Sequence, residues 1–405
     1  MISFDNTEYA FDYKSDKDLK AAHFLFSSMG NQLLVNMSLA IIPAALKMHI
    51  PFTKTLIRKT IFRQFVGGET LEQTGGVVNK LAEYNVQVIL DYGVEGGKNG
   101  EEGYDHATDE FIKVIDYAAT QENIPFMSIK ITGIVRLSLL EKMDAAMRES
   151  EGTLMKRYYN VIEMLSADEK EEWHRAVKRM LKICEDGNRK KIGVLVDAEE
   201  SWIQDPVDAL TILMMDTFNK DKAVVYNTIQ LYRHDRLAFL KDSYEAASRR
   251  EFILGAKLVR GAYMEKERKR AAAMGYDSPI QPDKEATDRD YNSAVAFSID
   301  HLENIATIIG THNEESNLYA TQLLDKKDLS HNHRHIHFSQ LYGMSDNITF
   351  NLAKEGFSVS KYLPFGPIKD VIPYLMRRAQ ENSSVSGQTG RELGLIKTEL
   401  ERRRK

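Results

Sequence analysis

A chain of 405 residues with 43% hydrophobic residues can fill a large core, either as one α/β barrel with extra helices or as two domains. Its net charge of −5 gives no reason to expect nucleic-acid binding. The single cysteine, Cys184, excludes an intramolecular disulfide framework, fits a reducing compartment and reads as an inert helix residue.

The first twenty residues are rich in Asp, Glu and Lys, unlike a signal peptide, and lack the Arg-rich look of a transit peptide. Residues 19–50 are apolar and helical in pattern, interrupted by Asn31, Gln32, Asn36 and Pro43. No unbroken apolar run reaches the ~18 residues of a membrane span. The stretch reads as a helical arm, residues 1–84, packed on a domain, with a membrane-surface contact as the sharper alternative.

From about residue 85 short apolar runs alternate with longer helical patterns. The runs lie at 86–93, 125–133, 191–199, 223–232, 252–261, 304–313, 335–343 and 357–366. Each is short, apolar or β-branched, and followed by a turn and an amphipathic segment. Eight β-then-α units predict an α/β fold of the (βα)8 TIM-barrel type over residues 85–392. The segment 134–190 is too long for one helix and predicts two or three, one of them starting at Ser166 with Glu169 completing a capping box. The chain has neither a GxGxxG opening a helix after a strand nor a GxxxxGK[ST], which disfavours Rossmann and P-loop readings.

In such a barrel, chemistry sits at the C-terminal ends of the strands. Those ends read Asp91 and Glu95, Lys130, Asp197 and Glu199, Gln230, Lys257 and Arg260, then Thr311-His312-Asn313, Gln340 and Tyr362. Any one of them alone is better read as a structural salt bridge or helix cap. A polar or charged side chain after almost every apolar run favours a site, because buried charges need partners or ligands. The run His331, His333, His335, His337 alternates as metal ligands on a strand would, but no Asp, Glu or Cys accompanies it; a loop entering the seventh strand is the better reading, and no metal is expected.

After the last run comes YLPFGPIKDVIPYLMRRAQENSS, Tyr362–Ser384. A Pro/Gly break precedes a helix, with Pro373 expected in its first turn, where a missing N–H matters little. Arg377 and Arg378 share a flank with Tyr374 and Glu381, and their guanidinium forks suit a carboxylate or phosphate. Together with Lys130, Lys257 and Arg260 they imply anionic ligands. The chain ends on a basic amphipathic tail, 393–405, ERRRK at its tip.

KYLPFGPIKDVIPYLMRRAQENSS resembles the last strand and barrel helix of the proline dehydrogenases, and GAKLVRGAYMEKER, at 255–268, resembles their fifth strand and the loop after it. The resemblance runs from about Val86 to about Leu393 and is nearest the monofunctional, eukaryotic-type branch. It implies FAD as cofactor, L-proline as substrate, Δ1-pyrroline-5-carboxylate as product by hydride transfer to flavin N5, and a quinone as acceptor. Lys130, Arg377 and Arg378 match the residues holding the proline carboxylate. Tyr263, Leu341 and Tyr362 match those lining the ring, and Asp197 and Lys257 belong to the catalytic centre. The flavin contacts match Ala198, Gln230, Arg260 and Gly261, then Ala262, Thr311 and His312, with Glu381 a further position. Lys257 stands where many bacterial members carry Arg, and Met264 where the bifunctional ones carry Trp. Glu95 matches a glutamate that pairs with the last-helix arginine, here Arg377, to close a gate. The resemblance also implies peripheral contact with a membrane: the inner face of a bacterial cell membrane from the cytoplasm, or the matrix side of a mitochondrion. Two alternatives stand: a hydroxyproline dehydrogenase of the same family, and a Schiff-base lyase or aldolase using Lys130 or Lys257.

Overall fold

The computed structural model describes residues 2–93, 100–384 and 388–405. Its eight strands form one closed barrel in sequence order. They are β1 (Gln87–Tyr92), β2 (Phe126–Ile129), β3 (Gly193–Val196), β4 (Val225–Gln230), β5 (Leu254–Val259), β6 (Ile305–Gly310), β7 (Ile336–Leu341) and β8 (Val359–Phe365). Every one lies inside an apolar run expected from sequence. The ladders from β2 to β6, and those of β8 with β7 and β1, are parallel. Strands β3 and β4 are buried along their whole length, as strands covered on both faces by helices must be.

Between β2 and β3 stand three helices, Leu137–Glu149, Leu154–Met164 and Ala167–Lys190. Ser166 starts the last of them: its side chain accepts from the Glu169 N–H, and the Glu169 carboxylate accepts from the Ser166 N–H. This closes two of the orphan donors of a helix start. Cys184 is buried within that helix, and burial raises its thiol far above the usual range.

The chain divides into two compact units. One holds β2–β6 with the helices between them. The other holds the N-terminal helices, β1, β8, the segment 312–314 and everything from Phe338 onward. In the latter, Phe11, Leu19, Phe26 and Phe65 pack with Leu375 and Ile396 in one apolar cluster. Gly343, just after β7, has φ +81°, and a Cβ there would lie 2.1 Å from the Gln64 carbonyl, so only glycine fits.

One expectation about the C-terminal helices changes. The helix bearing the arginines spans Ile368–Ser384, so Pro373 lies in its second turn, not its first. Pro367 ends the extended segment, and its carbonyl accepts from Asp370 and Val371, which starts the helix earlier than the sequence implied. Pro373 is exposed, where a disturbed turn can be hydrated. The basic tail, in turn, is folded in. Leu395 and Ile396 are buried, and Arg403 donates to the Phe11 and Lys14 carbonyls, both at 2.8 Å, and to Asp16 at 2.9 Å. Among the described residues no helix is long and apolar enough to cross a membrane.

Candidate active site

In the β2–β6 unit the parallel register builds a charged centre. Ile129 of β2 pairs with Val196 of β3, so the next residues, Lys130 and Asp197, are neighbours. Lys130 Nζ lies 3.5 Å from the Asp197 carboxylate. Lys257 of β5 is in register with Thr228 of β4, and its ammonium donates to the other oxygen of Asp197. One carboxylate therefore holds two lysines from two strands, and all three side chains keep some exposure, 22% for Lys130 and 13% for Asp197.

Around this triad the other strand ends are fixed by hydrogen bonds. Gln230, ending β4, is buried; its amide donates to the Glu199 carbonyl at 2.6 Å and to the Tyr232 hydroxyl at 2.9 Å. Ala198, between Asp197 and Glu199 in the chain, is buried. Both Glu199 carboxylate oxygens accept from the Thr132 hydroxyl at 2.9 Å. Burial pushes the Glu199 carboxyl up to about 7, against the pull of Lys130 and Thr132. After β5, Arg260 stacks on the Tyr291 ring at 4.3 Å, donates to Ser316 Oγ at 2.5 Å and is ion-paired with Asp288. Burial would raise the Asp288 carboxyl, but Lys284 and Arg260 outweigh it and hold it low. The Arg260 Nε is buried with no acceptor. Gly261 follows, where a Cβ would collide with the Met264 side chain. Ala262 is exposed and Tyr263 half-buried, while Thr311, after β6, is buried and its carbonyl accepts from Asn317.

In the other unit, Leu341 ends β7 and is in register with Tyr362 of β8; both are half-buried. On the Ile368–Ser384 helix Arg378 is buried, its guanidinium 5.3 Å from the Tyr374 ring, and Arg377 is half-buried. His312 bonds Ser345 Oγ through Nδ1 at 2.9 Å. Burial, aided by the charges of Arg378 and Lys361, pushes its imidazole down to about 3, so it is neutral at ordinary pH. Glu95 lies outside the described residues, as does the side chain of Glu381.

The family model described as proline dehydrogenase matches residues 76–391. The chain belongs to the proline dehydrogenase family. It is thereby a member of an oxidoreductase family. Mitochondrial proline dehydrogenase 1 of Caenorhabditis elegans is 29% identical over 99% of this chain and 88% of its own length. Hydroxyproline dehydrogenase of Xenopus laevis is 31% identical over 86% of this chain and 78% of its own. Among solved structures, proline utilization A from Bdellovibrio bacteriovorus superposes with a TM-score of 0.74 at 18% identity, covering 92% of this chain and 40% of that one. That likeness shows the barrel alone.

Of the residues singled out in the sequence, the structure brings Lys130, Asp197 and Lys257 together in one unit, and in the other sets His312 within range of the charge of Arg378. Two sets of residues went unassigned. Glu199 stood among the strand ends without a role; its place two residues after Asp197 was the signal. Lys361, Asp346 and Lys14 form a second, largely buried ion cluster, and only Lys361, inside the last strand run, carried a sequence cue.

Proposed function

We propose that the protein oxidises L-proline to Δ1-pyrroline-5-carboxylate with FAD as its cofactor and a quinone as electron acceptor. The carrying observation is the family match together with two lysines converging on one carboxylate at the strand ends. FAD supplies, when bound, the two-electron acceptor for the hydride lost from ring C5. The residues fit such a group: the buried Arg260 Nε lacks an acceptor, and a pyrophosphate-bearing ligand offers one. Arg260, Gln230 and Thr311 would hold the cofactor with Ala198, Gly261 and Ala262. His312 adds a neutral partner that costs no extra charge, and Glu381 is a further contact.

Lys130, Arg377 and Arg378 would clamp the substrate carboxylate, since charge-assisted bonds to a carboxylate fix orientation as well as affinity. Asp197 positions Lys130 and Lys257, and Lys257 places a positive charge where negative charge gathers during transfer. Glu199 changes charge near neutrality beside Lys130, the range in which the substrate amine must lose its proton. Tyr263, Leu341 and Tyr362 would wall the ring. Closure by a Glu95–Arg377 pair belongs to the same reading. The Schiff-base alternative is weaker: both candidate lysines are ion-paired with Asp197, whereas that chemistry needs a free amine. The relatives named mitochondrial support a site of action on the matrix side in a eukaryote, or on the inner face of the cell membrane in a bacterium.

The test is direct. The purified holoprotein should be yellow, acid should release its flavin into the supernatant, and anaerobic L-proline should bleach the bound flavin. A colourless protein, or flavin that proline leaves oxidised, overturns the proposal.

A further inference from the structure

A serine just before a helix usually turns its hydroxyl inward, to accept from the first free N–H groups. Ser345 precedes the helix Asp346–Lys354 and makes no such bond. Its backbone is left-handed, φ 50° and ψ 45°, which a residue with a Cβ adopts only at a cost. The carbonyl of Ser345 closes the first turn instead, accepting from the Ile348 and Thr349 N–H groups. The hydroxyl is spent elsewhere: Ser345 Oγ lies 2.9 Å from His312 Nδ1. Glu392, buried on the helix Gln388–Arg402, accepts from the Ser345 N–H and holds that backbone in place. The flanking positions are pinned as well. The Gln64 amide donates to the Gly343 carbonyl at 2.7 Å, and Asp346 carries its two lysines. All these residues belong to one compact unit.

Proton accounting decides which way the bond to His312 runs. Ser345 is buried, and among the described residues its hydroxyl has no partner but His312. A buried O–H without an acceptor is costly, so the hydroxyl donates to Nδ1. A proton on Nδ1 would leave that hydroxyl with nothing to donate to. His312 is neutral, because burial opposes its charge and so do Arg378 and Lys361. Its one ring proton then sits on Nε2, and no hydrogen bond joins Nε2 to another of the described residues. We propose that Ser345, held by Glu392, is a positioning residue that fixes the proton of His312 on Nε2 and makes the ring an uncharged donor for an oxygen of the bound cofactor. The other tautomer would meet such an oxygen lone pair to lone pair. The cofactor as recipient rests on the reading of the protein as a flavin enzyme; the place of the proton does not.

Nuclear magnetic resonance of the holoprotein with nitrogen-labelled histidine reads the tautomer directly, since the two ring nitrogens of a neutral imidazole resonate far apart. The His312 signals are those lost in His312→Gln. In the wild type they should show protonation on Nε2 alone. Ser345→Gly removes the hydroxyl while suiting the left-handed backbone, so the loop keeps its shape. It should mix the two tautomers and speed flavin release from the diluted holoprotein, followed by fluorescence, by roughly five- to tenfold. Glu392→Leu should act in the same direction, and Glu392→Gln, which keeps an oxygen acceptor, should restore wild-type signals and release. His312→Gln should also release flavin faster, and adding Ser345→Gly to it should change nothing more, because the serine acts through the ring. Protonation on Nδ1 in the wild type, unchanged His312 signals in Ser345→Gly, or effects that multiply in the double variant would overturn the proposal. A colourless wild type would defeat the flavin reading instead, and the ring signals would still decide where the proton sits.

Discussion

Each unit of the molecule contains the same small motif: one aspartate held by two lysines. In one, Asp346 meets Lys14 at 2.8 Å and Lys361 at 2.9 Å, with Asp346 2%, Lys361 0% and Lys14 12% exposed. In the other, Asp197 meets Lys130 and Lys257, and each group keeps a window to solvent. The first cluster is completed from within the protein. The Tyr13 hydroxyl donates to Asp346 at 2.8 Å, Lys361 donates to the Met344 carbonyl, and Glu392 accepts from the Ser345 N–H. Burial would raise Asp346, but its two lysines outweigh it and hold it down to about 2. For Lys361 burial wins and pushes the ammonium down, since it shares that one carboxylate with Lys14. The difference teaches that composition does not separate structural from functional charge. Enclosure of the carboxylate does: Asp346 is nearly sealed, whereas Asp197 keeps an opening toward a ligand.

The comparison breaks most sharply on stability. Lys361→Met takes one of two cations from a carboxylate that is only 2% exposed, leaving it Lys14 and the Tyr13 hydroxyl, and should cost about 3 kcal/mol, read from the urea midpoint. Lys257→Met leaves Asp197 with Lys130 and partial solvent, so its cost should be roughly half that, while proline-dependent flavin reduction is lost. Equal losses of stability in the two variants would erase the distinction between the clusters.

Much of this fold is legible in the sequence because barrel strands are short, apolar and locally bounded. All eight runs hold a strand, and Ser166 with Glu169 marks a helix start that the structure keeps. The site is legible where chemistry follows a strand directly, as at Lys130, Asp197 and Lys257. What escaped depends on distant partners. Lys14 and Asp346 meet only through the fold, as Arg403 and Asp16 do across 387 positions, so ERRRK looks like a free tail when read locally. Pro373 was misplaced because nothing before it resembles a side-chain cap; the Pro367 carbonyl does that work. Glu199 was visible at its rim position, but its titration comes from burial, which sequence does not display.

A second way to sharpen the contrast uses two glutamates raised to about 7, one in each region. Burial and then Asp346 raise Glu392; burial raises Glu199. A carboxyl raised above its unfolded value of 4.5 holds its proton in the native state. Its contribution is full below that value and is lost as pH rises through about 7. Glu392→Gln should therefore gain stability relative to wild type at pH above 7 and not at low pH, by at most about 3 kcal/mol. Glu199→Gln should follow the same sign more weakly, and its main effect should be on catalysis. The wild-type rise of kcat/KM through about pH 7 should flatten in the variant. An unchanged pH profile would remove Glu199 from the proton path.

The finest contrast lies between adjacent residues of one strand. Lys361 is sealed, and Tyr362, next to it on β8, is half-buried. Successive side chains leave opposite faces of a strand, so one residue serves the closed cluster and its neighbour points to the other face. A large ring beside C4 of a proline ring excludes a hydroxyl there by sterics, while a small polar residue would admit it. The frog relative named hydroxyproline dehydrogenase makes the question concrete, since it is about as similar to this chain as the worm relative named proline dehydrogenase. With Tyr362 in place, L-proline should be strongly preferred over trans-4-hydroxy-L-proline. Tyr362→Ser should narrow that gap mainly by losing proline turnover, about 1–3 kcal/mol in kcat/KM, with less effect on folding than any change at Lys361. The measurement is kcat/KM for both substrates in both proteins. Comparable values for the two substrates in the wild type would move this chain to the hydroxyproline branch and leave Tyr362 a bystander at the barrel mouth.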